Sequence, residues 1–420
     1  MVPRRLWLTP QTAAASPLGA QLVGQPPWVV LALHLLAERA DPSSRWAPYL
    51  ALLPQVLDSP VFWTEEQTAE LAGSQLGTSV ASYQAFLAST WADLASGPLA
   101  ASPGLFPEAV FNQASFSWAF GTLRSRCLAP ADAGDAIALV PGLDLVNHSS
   151  APGTPPAWTP LPPGGGGSWL GALAAGLSGA GAAVDVATCD SMAHVPQRPY
   201  APGEQVLGSY SAELLDSQLA LDFGFSDAAN SRPGYLLQLT LTDGDRFVDD
   251  KTDVCDAARV PSSPQFVLRP SAPPPEELRT FLRLVHLGGV DAFFLEPLFR
   301  DACWAMISEP VSLANETAVV DSLLGGCTTA LAGYPTTARQ DEDLLARGGA
   351  ALDARTALAL RVRLGEKRAL QATAEAYAQI RAGLPRLEYY QERRLRGLKL
   401  LDDDGKSTYD PFVSDTFKTW

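Results

Sequence analysis

The sequence predicts an α+β protein of two domains, and three observations carry that expectation. At 420 residues the chain exceeds what one hydrophobic core ordinarily organises. Short apolar runs of strand type mix with amphipathic helices as far as about Asp243. Beyond that point helical periodicity dominates, which sets the expected domains at 1–242 and 243–420. Hydrophobic residues make up 47% and charged residues 18%, a globular composition.

The elements follow in order. "PPWVVLALHLLAERADPSSRWAPYLALLP" is helical, with Val30, Leu33, Leu36 and Ala37 on one face and Pro54 ending the second segment. Helical stretches continue to about Leu105. "FSWAFGTLRSRCL" is a further helix that aligns Phe116, Phe120 and Leu123. "AIALVPGLDLV" is a β-type run interrupted at Pro141-Gly142. Residues 150–181 are of low complexity. The run Gly164 to Gly167 has no Gly-Lys-Ser/Thr after it, so it reads as an insertion and not as a phosphate loop. "APGEQVLGSYS" supplies a turn and a short strand, "QLALDFGF" follows, and Tyr235 to Thr242 form another strand. "PPPEELRTFLRLVHLGG" opens on prolines and glutamates and closes on Gly288-Gly289, the punctuation of a helix. The long helix "LDARTALALRVRLGEKRALQATAEAYAQIRAG" places Leu370, Ala374, Tyr377 and Ile380 at core spacing. Pro385 breaks it and "RLEYYQERRLRGL" resumes it.

Several classes are disfavoured. A net charge of −15 repels phosphate backbones, so no nucleic-acid partner is expected. The five cysteines are scattered without a CxxC pair, and the four histidines have no ligand spacing, so neither a disulfide scaffold nor a metal site is expected. No serine sits in a G-x-S-x-G elbow. No apolar run has the length of a membrane span, and "MVPRRLWLTP" lacks a signal-peptide core, so a soluble intracellular chain without a membrane partner is the expectation. Asn147-His148-Ser149 and "NET" at Asn315 match the glycosylation pattern. Without a secretory signal both matches read as coincidental.

The order of the segments says more than any one of them. "FSWAFGTLRSR", "LDLVNHSS", "GEQVLGSYS" and "LALDFGF", in that sequence, resemble the SET-domain lysine methyltransferases. More narrowly, they resemble the Rubisco large-subunit lysine N-methyltransferase family of plants and algae. "VPRRLWLTP", "SPVFWTEEQ", "LRLVHLGGVDAFFLEPLFRD", "LAGYPTT" and "LEYYQERRL" extend the resemblance over nearly the whole chain.

That resemblance implies a split SET β core tied as a pseudoknot, an exception to unknotted connections. A helical insertion at about 11–115 and an all-α domain that grips the protein substrate complete the implied fold. It also implies S-adenosylmethionine as cofactor and a lysine of the Rubisco large subunit or fructose-bisphosphate aldolase as acceptor, in the chloroplast stroma, with the protein monomeric. Carried onto matching positions, Asn147 would hold the amino-acid end of the cofactor, His148 its adenine, and Phe225 would pack beside it. Arg126 would contact cofactor and substrate, Asp144 would lie near the substrate lysine, and Tyr210 would be the catalytic tyrosine. Methyl transfer from a sulfonium to an amine is an in-line displacement that needs no metal. A lysine of pKa ~10.4 must first shed its proton, which an apolar channel and a nearby positive sulfonium favour. What remains is positioning, so Tyr210 reads as an orienter and not as a strong base.

Some positions depart from the family. Its first, glycine-containing SET strand lies upstream of where the resemblance begins, at "VPRRLW", so a chain shortened relative to the family is expected. Phe223 stands where the family has a tyrosine in the lysine channel, which implies a bias toward higher methylation states. Leu215-Asp216 replaces the family's "SN", and Pro130 replaces a substrate-binding basic residue. Two alternatives stay open: a histidine methyltransferase, since relatives with this architecture modify actin, and a non-catalytic binding module with a degenerate SET core.

Overall fold

A computed structural model of the chain describes residues 1–128, 137–161, 191–211, 213–348 and 352–401. Most of the low-complexity insertion, Pro130 and Cys189 lie outside the described residues. The architecture is α+β and divides into two compact units. The first comprises Met1–Leu71, Leu76–Arg232 and Asp353–Val362; the second comprises Ala72–Gln75, Pro233–Leu352 and Arg363–Trp420.

In the first unit the helix Pro27–Ala40 packs against the helix Gln113–Arg126. The sequence gives the former one apolar face, yet every residue from Val29 to Leu36 is buried, His34 included. It is a central helix, and its apolar run is correspondingly continuous. Gly121 brings the second helix close to its surroundings, since a Cβ there would sit 2.5 Å from both Leu57 and Phe62. Asn112 starts that helix by accepting from the Ser115 N–H at 3.0 Å, and Arg126 lies at its C-terminal end.

The β structure is sparse. β1 (Val2–Pro3), β4 (Ser191–Ala193) and β3 (Thr159–Leu161) form one antiparallel sheet in the order β1-β4-β3. β2 (Asn147–His148) pairs in parallel with β5 (Leu207–Gly208), matching Asn147 to Leu207 and His148 to Gly208. On the other edge of the same segment, Ser209 N–H donates to Pro155 O at 2.7 Å and Ser209 O accepts from Ala157 N–H at 2.9 Å. Successive backbone groups of a strand point to opposite edges. The chain from Asn147 to Ala157 therefore passes from one side of β5 to the other, the crossover that a split core of this kind needs. Gly208 is obligatory at the crossing, because a Cβ there would meet the Ala157 Cα at 2.4 Å.

The run before β2 is not a continuous strand. Ala138 bridges Leu128 and Leu139 bridges Leu8, after which Gly142, at φ 85, turns the chain. The turn is fixed by its own aspartate, whose Oδ1 accepts from the Gly142 N–H at 3.1 Å. Val140 and Leu143 are buried against Trp7 and Met192, whereas Leu145 is 42% exposed.

The longest continuous stretch of the second unit is Pro233–Leu352. Tyr235–Gln238 (β6) pairs antiparallel with Gln265–Leu268 (β7), a strand the sequence reading does not contain. Helices Glu276–Val285, Arg300–Ile307 and Leu313–Ala332 and the later turns of Ala354–Gly383 surround a core that includes Phe281, Phe294, Leu370 and Tyr377. Two buried ionic groups lie within it. Arg283 pairs with Glu316; Asp341 accepts from Arg363 at 2.8 Å, Lys367 at 2.6 Å and Thr336 at 2.6 Å. Asn315 is buried and donates to Arg283 O at 3.0 Å, which removes it as a glycan acceptor.

Candidate active site

A cavity of about 210 Å³ opens in the first unit where the end of the helix Gln113–Arg126, the turn at Asp144 and the segment after β5 converge. Arg126, Asp144, Tyr210 and Phe223 line it, together with Val146, Trp158 and Leu214. Four residues singled out from sequence thus share one wall, although they span nearly a hundred positions.

Tyr210 follows β5, so the crossover fixes its place. Its hydroxyl donates to Val146 O at 3.0 Å. The phenol is half-buried, and burial pushes it above its ordinary pKa, so it stays protonated at neutral pH. Its donor role is spent on Val146, which leaves the oxygen as an acceptor for a group in the cavity.

The backbone N–H of Tyr210 donates to His148 Nδ1 at 3.0 Å. A backbone N–H can only donate, so Nδ1 carries no proton and the ring is the neutral Nε2–H tautomer. Nε2 then donates to Ser150 Oγ at 2.8 Å. Burial lowers the pKa of His148, although Asp227 opposes that shift. The ring packs against Tyr210, with centroids 4.9 Å apart, and against Phe225 at 6.0 Å. Phe223 lies 4.6 Å from Tyr210 and 6.2 Å from Phe225, which closes an aromatic cluster of four rings. Phe225 and His148 lie outside the cavity lining, and Asn147, the residue before His148, is exposed.

Asp144 has a fully buried side chain. Tyr49 OH donates to its Oδ2 at 2.8 Å, and Arg126 NH1 lies 3.2 Å from its backbone O and 3.5 Å from Oδ2. Burial raises the carboxyl pKa against the opposing pull of Tyr49 and Arg126. Arg126 Nε is buried without a hydrogen-bond partner. A buried, uncommitted N–H on a guanidinium at a cavity wall suits an anionic or carbonyl oxygen. It fits the carboxylate of S-adenosylmethionine, while the aromatic cluster fits the apolar parts.

Trp158, which lines the cavity, and Tyr49, which stands behind Asp144, escape the sequence reading. Trp158 sits in the low-complexity stretch and carries no motif. Tyr49 contacts Asp144 across 95 residues, from a helix that reads only as packing. The family's "SN" position also differs in role: Leu215 is buried, and Asp216 accepts from Ser231 Oγ at 2.5 Å and from Arg232 N–H at 3.0 Å, fastening the chain after Phe225. Among the described residues no group of three or more His, Cys, Asp or Glu could hold a metal ion, and no helix is long and apolar enough to cross a membrane.

A tyrosine-walled cavity beside an Asn-His strand threaded past β5 is the arrangement of SET-domain proteins, and comparison with known proteins gives the family. A family model described as the Rubisco LSMT substrate-binding domain matches residues 242–370. A chloroplastic fructose-bisphosphate aldolase-lysine N-methyltransferase of Arabidopsis thaliana is 34% identical over 405 residues, covering 96% of this chain and 79% of that protein. A chloroplastic Rubisco large-subunit N-methyltransferase of Pisum sativum is 36% identical over 407 residues, covering 96% and 78%. A crystal structure of the LSMT SET domain with lysine and AdoHcy bound superposes with a TM-score of 0.79 at 34% identity, covering 99% of this chain and 88% of that one. The chain belongs to the Rubisco large-subunit lysine N-methyltransferase family of SET-domain enzymes.

Proposed function

We propose that this protein-lysine N-methyltransferase acts on the Rubisco large subunit or on fructose-bisphosphate aldolase, in the chloroplast stroma. S-adenosylmethionine, when bound, supplies the activated methyl group. The observation that carries the reading is the cavity itself, in which Tyr210, Phe223, Asp144 and Arg126 meet.

The residues divide the work by their chemistry. Phe223 and Trp158 give the cavity apolar walls, and an amine between them is driven toward its neutral, nucleophilic form. The Tyr210 oxygen, acting as acceptor, orients that amine; being neutral and raised in pKa, the phenol is not the base. Its position is set twice, through the hydroxyl on Val146 O and the main-chain N–H on His148, which is the preorganisation an in-line displacement requires. Arg126 and Asn147 would hold the cofactor's amino-acid end, and His148 and Phe225 its ring system. The second unit, which contains most of the span matched by the substrate-binding family model, would engage the protein substrate.

Radioactive methyl incorporation into purified Rubisco, aldolase and actin, followed by acid hydrolysis, tests the reading. Methyl-lysine in Rubisco or aldolase supports it. Methyl-histidine in actin would replace it, and no incorporation into any of the three would leave a binding module.

A further inference from the structure

A guanidinium beside a buried carboxylate ordinarily closes into a short, two-point pair. Arg126 and Asp144 do not. Their one side-chain contact is 3.5 Å long, although the Asp144 side chain is fully buried and the Arg126 side chain only 21% exposed. The reason is visible in what else the carboxylate holds: Tyr49 OH occupies Oδ2 at 2.8 Å and the Gly142 N–H occupies Oδ1 at 3.1 Å. With both oxygens engaged, Arg126 rests NH1 mainly on the Asp144 backbone oxygen and retains a buried Nε without a partner.

We propose that Tyr49 is a positioning residue for the methyl-transfer site: its hydroxyl keeps the Asp144 carboxylate from capturing Arg126, so that the guanidinium keeps an N–H for the cofactor's carboxylate. The proposal rests on the reading of the cavity as the methyl-transfer site. Of the two reactants, a lysine side chain is cationic and the amino-acid end of S-adenosylmethionine carries a carboxylate, so the latter is the group this N–H suits. Tyr49 is buried and its phenol is pushed far above the ordinary range by burial and by the Asp144 charge, so it stays protonated and donates. The titratable or charged groups facing Asp144 are Tyr49 from the helix Ala47–Leu50, Arg126 at the end of Gln113–Arg126, the half-buried Cys127 that follows it, and Tyr210 beyond β5. Cys127 is raised in pKa and stays neutral, which leaves Arg126 as the charge that answers any change at Asp144.

Removing the hydroxyl frees Oδ2 for Arg126 and withdraws a donor that stabilises the carboxylate. The Tyr49→Phe variant of the full chain keeps the ring and its packing. Titration calorimetry is expected to show its affinity for S-adenosylmethionine lowered about tenfold, the effect of one lost charge-assisted hydrogen bond. The KM for the protein substrate should stay within about twofold of wild type. The acid limb of kcat/KM should move to higher pH, because Asp144 loses a stabilising donor. A variant with wild-type cofactor affinity and an unmoved acid limb, whatever its melting temperature, overturns the role of Tyr49. Wild-type protein that binds no S-adenosylmethionine overturns the methyl-transfer reading and this proposal with it.

Discussion

The main-chain N–H of Tyr210 donates to Nδ1 of His148 at 3.0 Å. This bond ties the second residue after β5 to the last residue of β2, and it holds only while the imidazole is neutral. Burial lowers the His148 pKa below its value in the unfolded chain, so the unfolded state takes up the proton first. The stability contributed is complete above about pH 6.5 and is lost as pH falls through the lowered folded value. His34 and His286 are lowered by burial in the same direction, so a comparison is needed to isolate His148. Thermal melts between pH 5 and 8 should show a smaller acid-induced loss for His148→Asn than for wild type. Parallel curves would contradict the assignment.

The segment at Ala157, on the edge of β5 opposite β2, leaves no room at Gly208. A methyl group there meets backbone atoms of Ala157, which cannot swing aside. Gly208→Ala should cost at least about 2 kcal/mol of unfolding free energy in a urea titration. An unchanged midpoint would mean that the two segments are not held at this distance.

In the second unit, Asp341 is fully buried and is the acceptor for Lys367, Arg363 and Thr336. Although burial favours its neutral form, the hydrogen bonds from Lys367, Thr336 and Arg363 outweigh that and lower its pKa. Asp341→Ala strands a buried lysine and should cost about 3–5 kcal/mol at neutral pH by chemical denaturation. The penalty should shrink as pH falls through the lowered folded pKa, where wild type also loses the carboxylate charge.

Phe223 packs 4.6 Å from Tyr210 and brings no hydroxyl to the cavity. An amine that already carries methyl groups therefore meets one fewer polar neighbour and more space. Mass spectrometry of the product should find mainly the higher methylation states, and Phe223→Tyr should shift the distribution toward monomethyl-lysine. Monomethyl product alone from wild type would contradict this role.

The parts of the site legible in the sequence are those carried by local motifs: Arg126 at a helix end, Asn147-His148 after an apolar run, and Tyr210, Phe223 and Phe225 in short segments of fixed order. The strand expected before Asn147 proves to be two bridges and a turn, because the Gly142 turn is stabilised by the Asp144 carboxylate, an interaction the apolar pattern does not display. Tyr49 escaped because its partner lies 95 residues away and its own segment reads as a plain packing helix. β7 escaped because four residues flanked closely by prolines carry too little periodicity to read as a strand, and without it β6 reads as the end of the first domain.

We propose that Tyr210, fixed by Val146 and His148, orients the lysine for methyl transfer. The measurement that tests it most directly is the rate of methyl incorporation into Rubisco or aldolase by wild type and by Tyr210→Phe, with cofactor affinity determined in parallel. Loss of the Tyr210 hydroxyl is expected to lower the rate about 100-fold or more, with S-adenosylmethionine affinity little changed. Equal rates in the two proteins would contradict it.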